Sequence, residues 1–489
     1  MQHSFKDTTV SGVKWSVIGR IGQNIIVFVI GVVLARLLSP AEFGLLGMIG
    51  VIVGFAKIFT ELGFGAALIQ KKEISQEELS SVFWLNLAGG TLLTVLFIVL
   101  APAIARFYQT PELRLITAFI SFNFLISSIV IIQNTLLTKE INFKYISYIE
   151  ILANLIAGSV AIYMAAVGYG VWSLVAQSLL ISVTTAALMW FFSSWRPSFT
   201  FRIDAIKALL KFSLNHLGNR SMNYWARNLD NLLIGKFLGS GSLGVYSKSY
   251  AIMLLPLQNV SHVLSRVMFP ALSKIQDDRE KVRQVFLRIT RVIALITFPM
   301  MTGLFVVVEP FVLVVFGEQW SGMIPILQVL CLVGMIQSIG TLNGNLYLSQ
   351  GRADLQFRVG IVLKAVVFIG IVTGIKWGVL GVAIGYATAS AINSYPSFKF
   401  AGRLVGLTYR DLLKNLKSTF FISVVMAVIV WGVGYFIPVS WPLWLLLVLQ
   451  VLLGIILYSA FVYFLKPPSY VDLRGLIFEQ INKRKVEVQ

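Results

Sequence analysis

The residues with chemical potential in this sequence are cations and amides set at helical spacing inside long apolar runs. Arg20, Gln23 and Asn24 fall at i, i+3 and i+4, one stripe of a helix. Lys57 and Glu61 stand at i, i+4, the spacing of an intrahelical ion pair. Asn219, Asn223, Arg227 and Asn231 repeat at steps of four, with Arg220 and Asp230 beside them, and Gln258, His262 and Arg266 do the same. A charge at the centre of a bilayer costs about 2.5–3.5 kcal/mol even on the lenient insertion scale, so cations sharing a face there mark a binding surface. Once those at the span ends are counted with the flanking segments, nine Lys or Arg lie within the apolar runs against three acids, Glu61, Glu150 and Asp230. That excess predicts a positive interior suited to an anion, and the arginine fork suits phosphate or carboxylate.

Each of these groups also has a plainer reading. Lys57 and Glu61 can be a neutralised pair holding helices together. Arg288, Arg291 and Lys248 sit near the ends of their runs and can snorkel to the interface. His262 alone reads as a packing residue; sharing a stripe with Arg266 is what makes it a candidate. Glu61 and Asp230 are the acids placed to couple transport to Na⁺ or H⁺, or to act as counter-charges. Soluble-enzyme chemistry is nearly absent. Three histidines and the single Cys331 leave no material for a metal site or a disulfide framework, and no cofactor is expected. Gly239–Gly244 matches G-x-G-x-x-G in spelling, but no strand precedes it.

The elements that position these residues follow from composition. The chain has 489 residues, 57% hydrophobic and 12% charged, with mean hydropathy +0.82. Soluble domains carry roughly a quarter charged residues. The apolar residues come in blocks long enough to cross a hydrocarbon core of about 30 Å. An all-α polytopic membrane protein is expected, with fourteen spans near 13–38, 43–68, 80–105, 114–137, 147–167, 170–193, 205–236, 242–271, 284–308, 321–348, 357–375, 378–402, 417–437 and 442–465. Residues 1–12 are polar and the first run is too long for a signal core, so no cleaved leader is expected. The seventh span is the most polar and is retained because the charges make sense with it. With both termini cytoplasmic, inside segments, counted with the span ends that border them, hold 26 of the 40 Lys and Arg, and outside segments counted the same way hold five. This bias accounts for much of the net charge of +19 without nucleic acid.

The chain also repeats. Arg36–Gly44 parallels Lys236–Gly244 at an offset of 200; Pro102 parallels Pro310, and Gly168–Trp172 parallels Lys376–Leu380, both at 208. Two parallel six-helix bundles are expected, residues 1–197 and 198–403, followed by two further helices and a basic tail over 404–489. The polar stripes fall on spans one, two, seven and eight, equivalent positions in the two halves, as a central cavity would require.

The run Ala35-Arg-Leu-Leu-Ser-Pro-Ala-Glu-Phe-Gly44, followed by Glu61-Leu-Gly-Phe-Gly-Ala-Ala-Leu-Ile-Gln70, resembles the Wzx-type polysaccharide flippases of the multidrug/oligosaccharidyl-lipid/polysaccharide (MOP) exporter superfamily, in particular the colanic-acid and teichuronic-acid exporter group. The resemblance extends over about residues 10–465. It implies a V-shaped pair of lobes in the bacterial inner membrane and alternating-access transfer of an undecaprenyl-diphosphate-linked oligosaccharide. On that basis Arg20, Lys57, Arg220, Arg227 and Arg266 would hold the headgroup. Gln23, Asn24, Asn223, Asn231, Gln258 and His262 would line the cavity. Membrane lipids are partners by necessity; a polysaccharide polymerase and chain-length proteins are partners by implication. Two competing readings are a cation-coupled drug exporter, which wants acids in the cavity, and a membrane polymerase or ligase, which wants an outside catalytic loop longer than the eight to twelve residues available here. The topology can be read with reporter fusions: alkaline phosphatase joined after residue 110 is expected to be active and after residue 277 inactive, and the reverse pattern would invert the orientation.

Overall fold

Helix is the only regular structure among the described residues. A computed structural model of the protein describes residues 19, 22–60, 65, 68–69, 71, 74–140, 142–438 and 440–475, except for the side chains of 203–220, 222–223, 226 and 266–267. The helices are α1 (Gly22–Leu37), α2 (Pro40–Thr60), α3 (Gln76–Tyr108), α4 (Leu113–Ser128), α5 (Ile131–Lys139), α6 (Phe143–Ala166), α7 (Val171–Phe192) and α8 (Ile203–Pro256). After a π-helical turn, Leu257–Ser261, come α9 (His262–Ser273), α10 (Arg279–Val315), α11 (Met323–Gly340), α12 (Asn343–Ser349), α13 (Ala353–Gly374), α14 (Gly378–Gly402), α15 (Tyr409–Phe436) and α16 (Leu443–Leu465).

Helix or a helix pair occupies every expected span where residues are described. By length and apolarity, nine helical stretches among the described residues qualify to cross a membrane, or ten with the bent pair α4–α5. The polar α8 is not among them. Surfaces such as that of α16, with Ile455 58% and Ile456 63% exposed, fit hydrocarbon as solvent.

Local chemistry sets the helix ends. Pro40 opens α2, where its missing N–H is no loss. Ahead of it, the Ser39 N–H and hydroxyl both donate to Glu42, at 2.6 and 2.8 Å. Capping boxes start α3, from Ser75 and Glu78, and α15, from Thr408 and Asp411. Spans are also interrupted internally. Gly239 breaks α8 at φ 84° and ψ 177°, a conformation suited to glycine. The fourth span bends by 44° between α4 and α5, and the tenth breaks between α11 and α12.

The residues divide into two units, Met1–Gly244 and Val245–Gln489. In the first, α3 packs on α4, α6 on α7, and α4 on α7. The second repeats this scheme with α10 on α11, α13 on α14, and α11 on α14. The same pairing therefore recurs with span numbers advanced by six, and each scheme contains an interrupted helix at its fourth position. Helices α15 and α16 pack on each other and on α10.

The repeated run has a structural use inside the first unit. A Cβ on Gly44 would stand 1.7 Å from the Ser240 carbonyl oxygen, and one on Gly244 1.8 Å from the Pro40 carbonyl oxygen. At the offset of 200, Pro40 corresponds to Ser240 and Gly44 to Gly244, so the two contacts are reciprocal. Backbone meets backbone there, and no side chain fits. Gly44→Ala and Gly244→Ala are each expected to destabilise the protein by about 1–3 kcal/mol through overpacking. A lowered melting temperature in detergent would register this, whereas Gly50→Ala, whose Cβ meets nothing within 4 Å, should melt like the parent.

Candidate functional site

The seam between α2 and α8 gathers the largest share of the describable candidate residues. Tyr224 donates its hydroxyl to the Val51 carbonyl at 2.7 Å and lies 3.2 Å from that of Gly50. Gly54 makes room for it, since a Cβ there would be 2.4 Å from the phenol oxygen. The Phe55 ring sits 4.9 Å from Trp225 and 6.0 Å from Tyr224. Further along, Tyr108 of α3 donates to the Met48 carbonyl at 3.1 Å, and Gly235 fits against Met48 and Tyr108. Lys236 donates to the Phe107 carbonyl and lies 4.9 Å over its ring.

Two expected cations flank this aromatic seam. Lys57 and Arg227 are exposed, and neither has a carboxylate within ion-pair distance among the described residues. They stand two residues from Phe55 and from Trp225 respectively, about 200° round each helix, so the meeting of those rings brings the two backbone positions to one region while the cationic side chains leave from other faces. Asp230 is buried at 8% exposure, with its Oδ1 accepting the Asn231 backbone N–H at 2.8 Å. Asn231 is half-buried, and its own Oδ1 is buried without a hydrogen bond. Exposed cations with no carboxylate partner among the described residues can hold an anion. An acid at 8% exposure pays for its desolvation with contacts and is a poor anion ligand.

Other candidates lie elsewhere. Gln23 of α1 is half-buried and Asn24 exposed. In the second unit Gln258 is exposed on the π turn and His262 half-buried at the start of α9. Arg20 and Glu61 lie outside the described residues, as do the side chains of Arg220, Asn223 and Arg266. The describable set is therefore brought together in part, on α2 and α8.

Three cations outside the candidate set have specific settings. Lys248 lies 5.6 Å from the centre of the Phe316 ring. Arg291 does not simply snorkel: it is hydrogen-bonded to Asp472 and, at 2.6 Å, to Asn415 Oδ1. Arg288 reaches the same Asp472 at 3.7 Å. These bonds fasten the helical segment 468–475 to α10 and α15. Sequence reasoning also missed the anchoring hydroxyls of Tyr108 and Tyr224, because a tyrosine in an apolar helix reads as packing until its neighbour is known. Tyr386, which accepts from Gln337 and lies 3.4 Å from the Tyr250 hydroxyl, is a similar case. Among the described residues no three His, Cys, Asp or Glu side chains are grouped to hold a metal.

Comparison with known proteins gives this geometry its family. Residues 33–325 match the family model described as polysaccharide biosynthesis protein. The teichuronic acid biosynthesis protein TuaB of Bacillus subtilis (strain 168) is 32% identical over 434 residues, 87% of this chain and 89% of that protein. The lipopolysaccharide biosynthesis protein WzxC of Escherichia coli (strain K12) is 31% identical, covering 88% of each. Among solved structures, the lipid II flippase MurJ in an inward closed conformation superposes with a TM-score of 0.73 at 17% identity, over 94% of this chain and 99% of that one. That likeness establishes the fold. With fold, repeat and sequence in agreement, the chain belongs to the polysaccharide biosynthesis protein family of Wzx-type transporters, with the MOP-superfamily fold: it is a multi-pass membrane transporter and not an enzyme.

Proposed function

We propose that this protein flips an undecaprenyl-diphosphate-linked oligosaccharide across the bacterial cytoplasmic membrane by alternating access, for surface polysaccharide assembly. The observation that carries the reading is the pair of exposed cations Lys57 and Arg227 on α2 and α8, which have no carboxylate partner among the described residues, in a chain of this family. Their charge suits a diphosphate, while the prenyl chain stays in lipid. Arg20, Arg220 and Arg266 belong to the same set, with Gln23, Asn24, Asn223, Asn231, Gln258 and His262 as polar lining. The names of the relatives, which refer to teichuronic acid and lipopolysaccharide biosynthesis, support a glycan cargo.

In this reading the chain crosses the membrane fourteen times with both termini in the cytoplasm. Its lobes are residues 1–197 and 198–403, and 404–489 are an appendage. Asp230 and Glu61 are the acids available for Na⁺ or H⁺ coupling. A polymerase and chain-length proteins receive the flipped unit. A drug exporter of the same fold would need acid in the cavity, and the excess of cations within the spans argues against it.

Charge removal tests this directly. A hydrogen bond to a charged group is worth about 1.5–3 kcal/mol, so Lys57→Gln and Arg227→Gln should each weaken binding of a prenyl-diphosphate sugar by roughly 10- to 150-fold. Binding of the uncharged analogue should not change. In cells, surface polysaccharide should fall at constant protein level. Full polymer output from both variants, or equal binding of the charged and neutral ligands, would sink the reading.

A further inference from the structure

The segment joining α7 to α8 forms a surface that the transport reading does not use. Residues 195–202 are laid along the first turns of α3 by a set of specific bonds. Gln76 Nε2 donates to the Arg196 carbonyl at 2.7 Å, and Trp195 Nε1 donates to Gln76 Oε1 at 2.7 Å. The Ser198 N–H donates to Ser80 Oγ at 3.0 Å, and the Arg202 N–H to Ser81 Oγ at 2.8 Å. Trp84 Nε1 donates to the Ser198 carbonyl at 2.9 Å, and Phe199 stacks on the Trp84 ring at 5.4 Å. The segment is thus a built feature, yet it leaves large apolar rings uncovered: Phe199 is 96% exposed and Phe191 80%.

Aromatic rings held this way beside arginines are suited to the headgroup zone of a bilayer. Two arginines lie there, and they differ. Arg202 is bound to Glu77 at 2.7 Å. Arg196 has no acid partner among the described residues. Its guanidinium lies 5.3 Å over Trp190 and donates to the carbonyls of Ser193, Trp195 and Trp190 at 2.6, 2.8 and 3.1 Å. Those three bonds fix its position and leave two of its five N–H donors for an external acceptor.

From Trp84 a shallow, open apolar groove runs along one face of α3, formed by Trp84, Leu87, Ala88, Thr91, Leu92 and Val95. The eleven steps from Trp84 to Val95 at about 1.5 Å each make it roughly 16 Å long. Half of a hydrocarbon core of about 30 Å is nearly the same length. The groove therefore has the reach of one leaflet and begins at the aromatic and cationic platform.

We propose that this surface is a specific site for one anionic phospholipid, with its phosphate at Arg196, its glycerol region against Phe199 and Trp84, and one acyl chain in the α3 groove. Assignment to the cytoplasmic leaflet rests on the charge-bias orientation; the binding of the lipid does not, nor does it rest on the flippase reading. The fixed, uncompensated guanidinium favours phosphatidylglycerol over the zwitterionic phosphatidylethanolamine.

Native mass spectrometry of the full-length protein, purified from micelles holding the two lipids in equal amounts, reads the site. One retained phosphatidylglycerol per chain is expected, favoured over phosphatidylethanolamine by about fivefold. Arg196→Gln should abolish that preference. Ala88→Trp, a substitution at an exposed position that fills the groove, should reduce retention of both lipids. Phe199→Ser, which removes a fully exposed ring and spares the core, should do the same if Arg196→Gln fails to fold. Leu452→Trp on the exposed face of α16 should leave retention as in the parent. Equal retention of the two lipids by the parent protein would overturn the proposal, as would a full lipid load in both Ala88→Trp and Phe199→Ser. Preferential displacement of phosphatidylglycerol by undecaprenyl phosphate would also overturn it, by assigning the groove to a prenyl chain.

Discussion

Hydrocarbon offers no partner to a backbone N–H or carbonyl, and the rest of this structure depends on that constraint. It leaves helix as the economical way to cross and makes every interruption a position that must be satisfied locally. The bend between α4 and α5 illustrates this, with the Ile129 carbonyl at the break accepting the Trp190 indole N–H at 3.0 Å. On α2, which is unbroken, tyrosine hydroxyls approach carbonyls that already serve the helix. Polar side chains in these spans thus do backbone work as well as any ligand work. A stripe of polar residues by itself cannot separate the two roles.

The charges separate more cleanly. Arg291 and Arg288 share Asp472, and Arg202 has Glu77; these pairs fasten chain segments at helix ends. Lys57, Arg227 and Arg196 lack such partners among the described residues. A cation is expensive to maintain near lipid without a counter-charge, so one with no acid partner among the described residues is a candidate ligand contact. The proposed ligands differ with the surroundings: a transported headgroup for the first two and a resident lipid for the third.

Much of the fold was legible in the sequence because its signals are local. Ser39-Pro40, the Ser75–Glu78 box and the lengths of the apolar runs are properties of a few neighbouring residues, and the helices begin and end close to them. The offset-200 repeat was legible as spelling, and the structure supplies its meaning, since the glycine of each copy receives the backbone of the other. The site was less legible. Lys57 and Arg227 could be named from spacing, but their common region is defined by Phe55 meeting Trp225, a contact between residues 170 apart in the chain. Asp472 lies beyond the last span, where nothing local connects it to Arg291; the pairing exists because α15 and α16 return the chain to α10.

The glycine contact also bears on why the repeated run kept its form. In water, two helices can be held by burying apolar side chains, whatever their exact fit. In lipid that drive is missing, and association depends on close van der Waals approach and on polar contacts. A glycine at 44 and another at 244 permit the closest approach two backbones can make, and the reciprocal geometry means that a side chain on either one disrupts the shared contact.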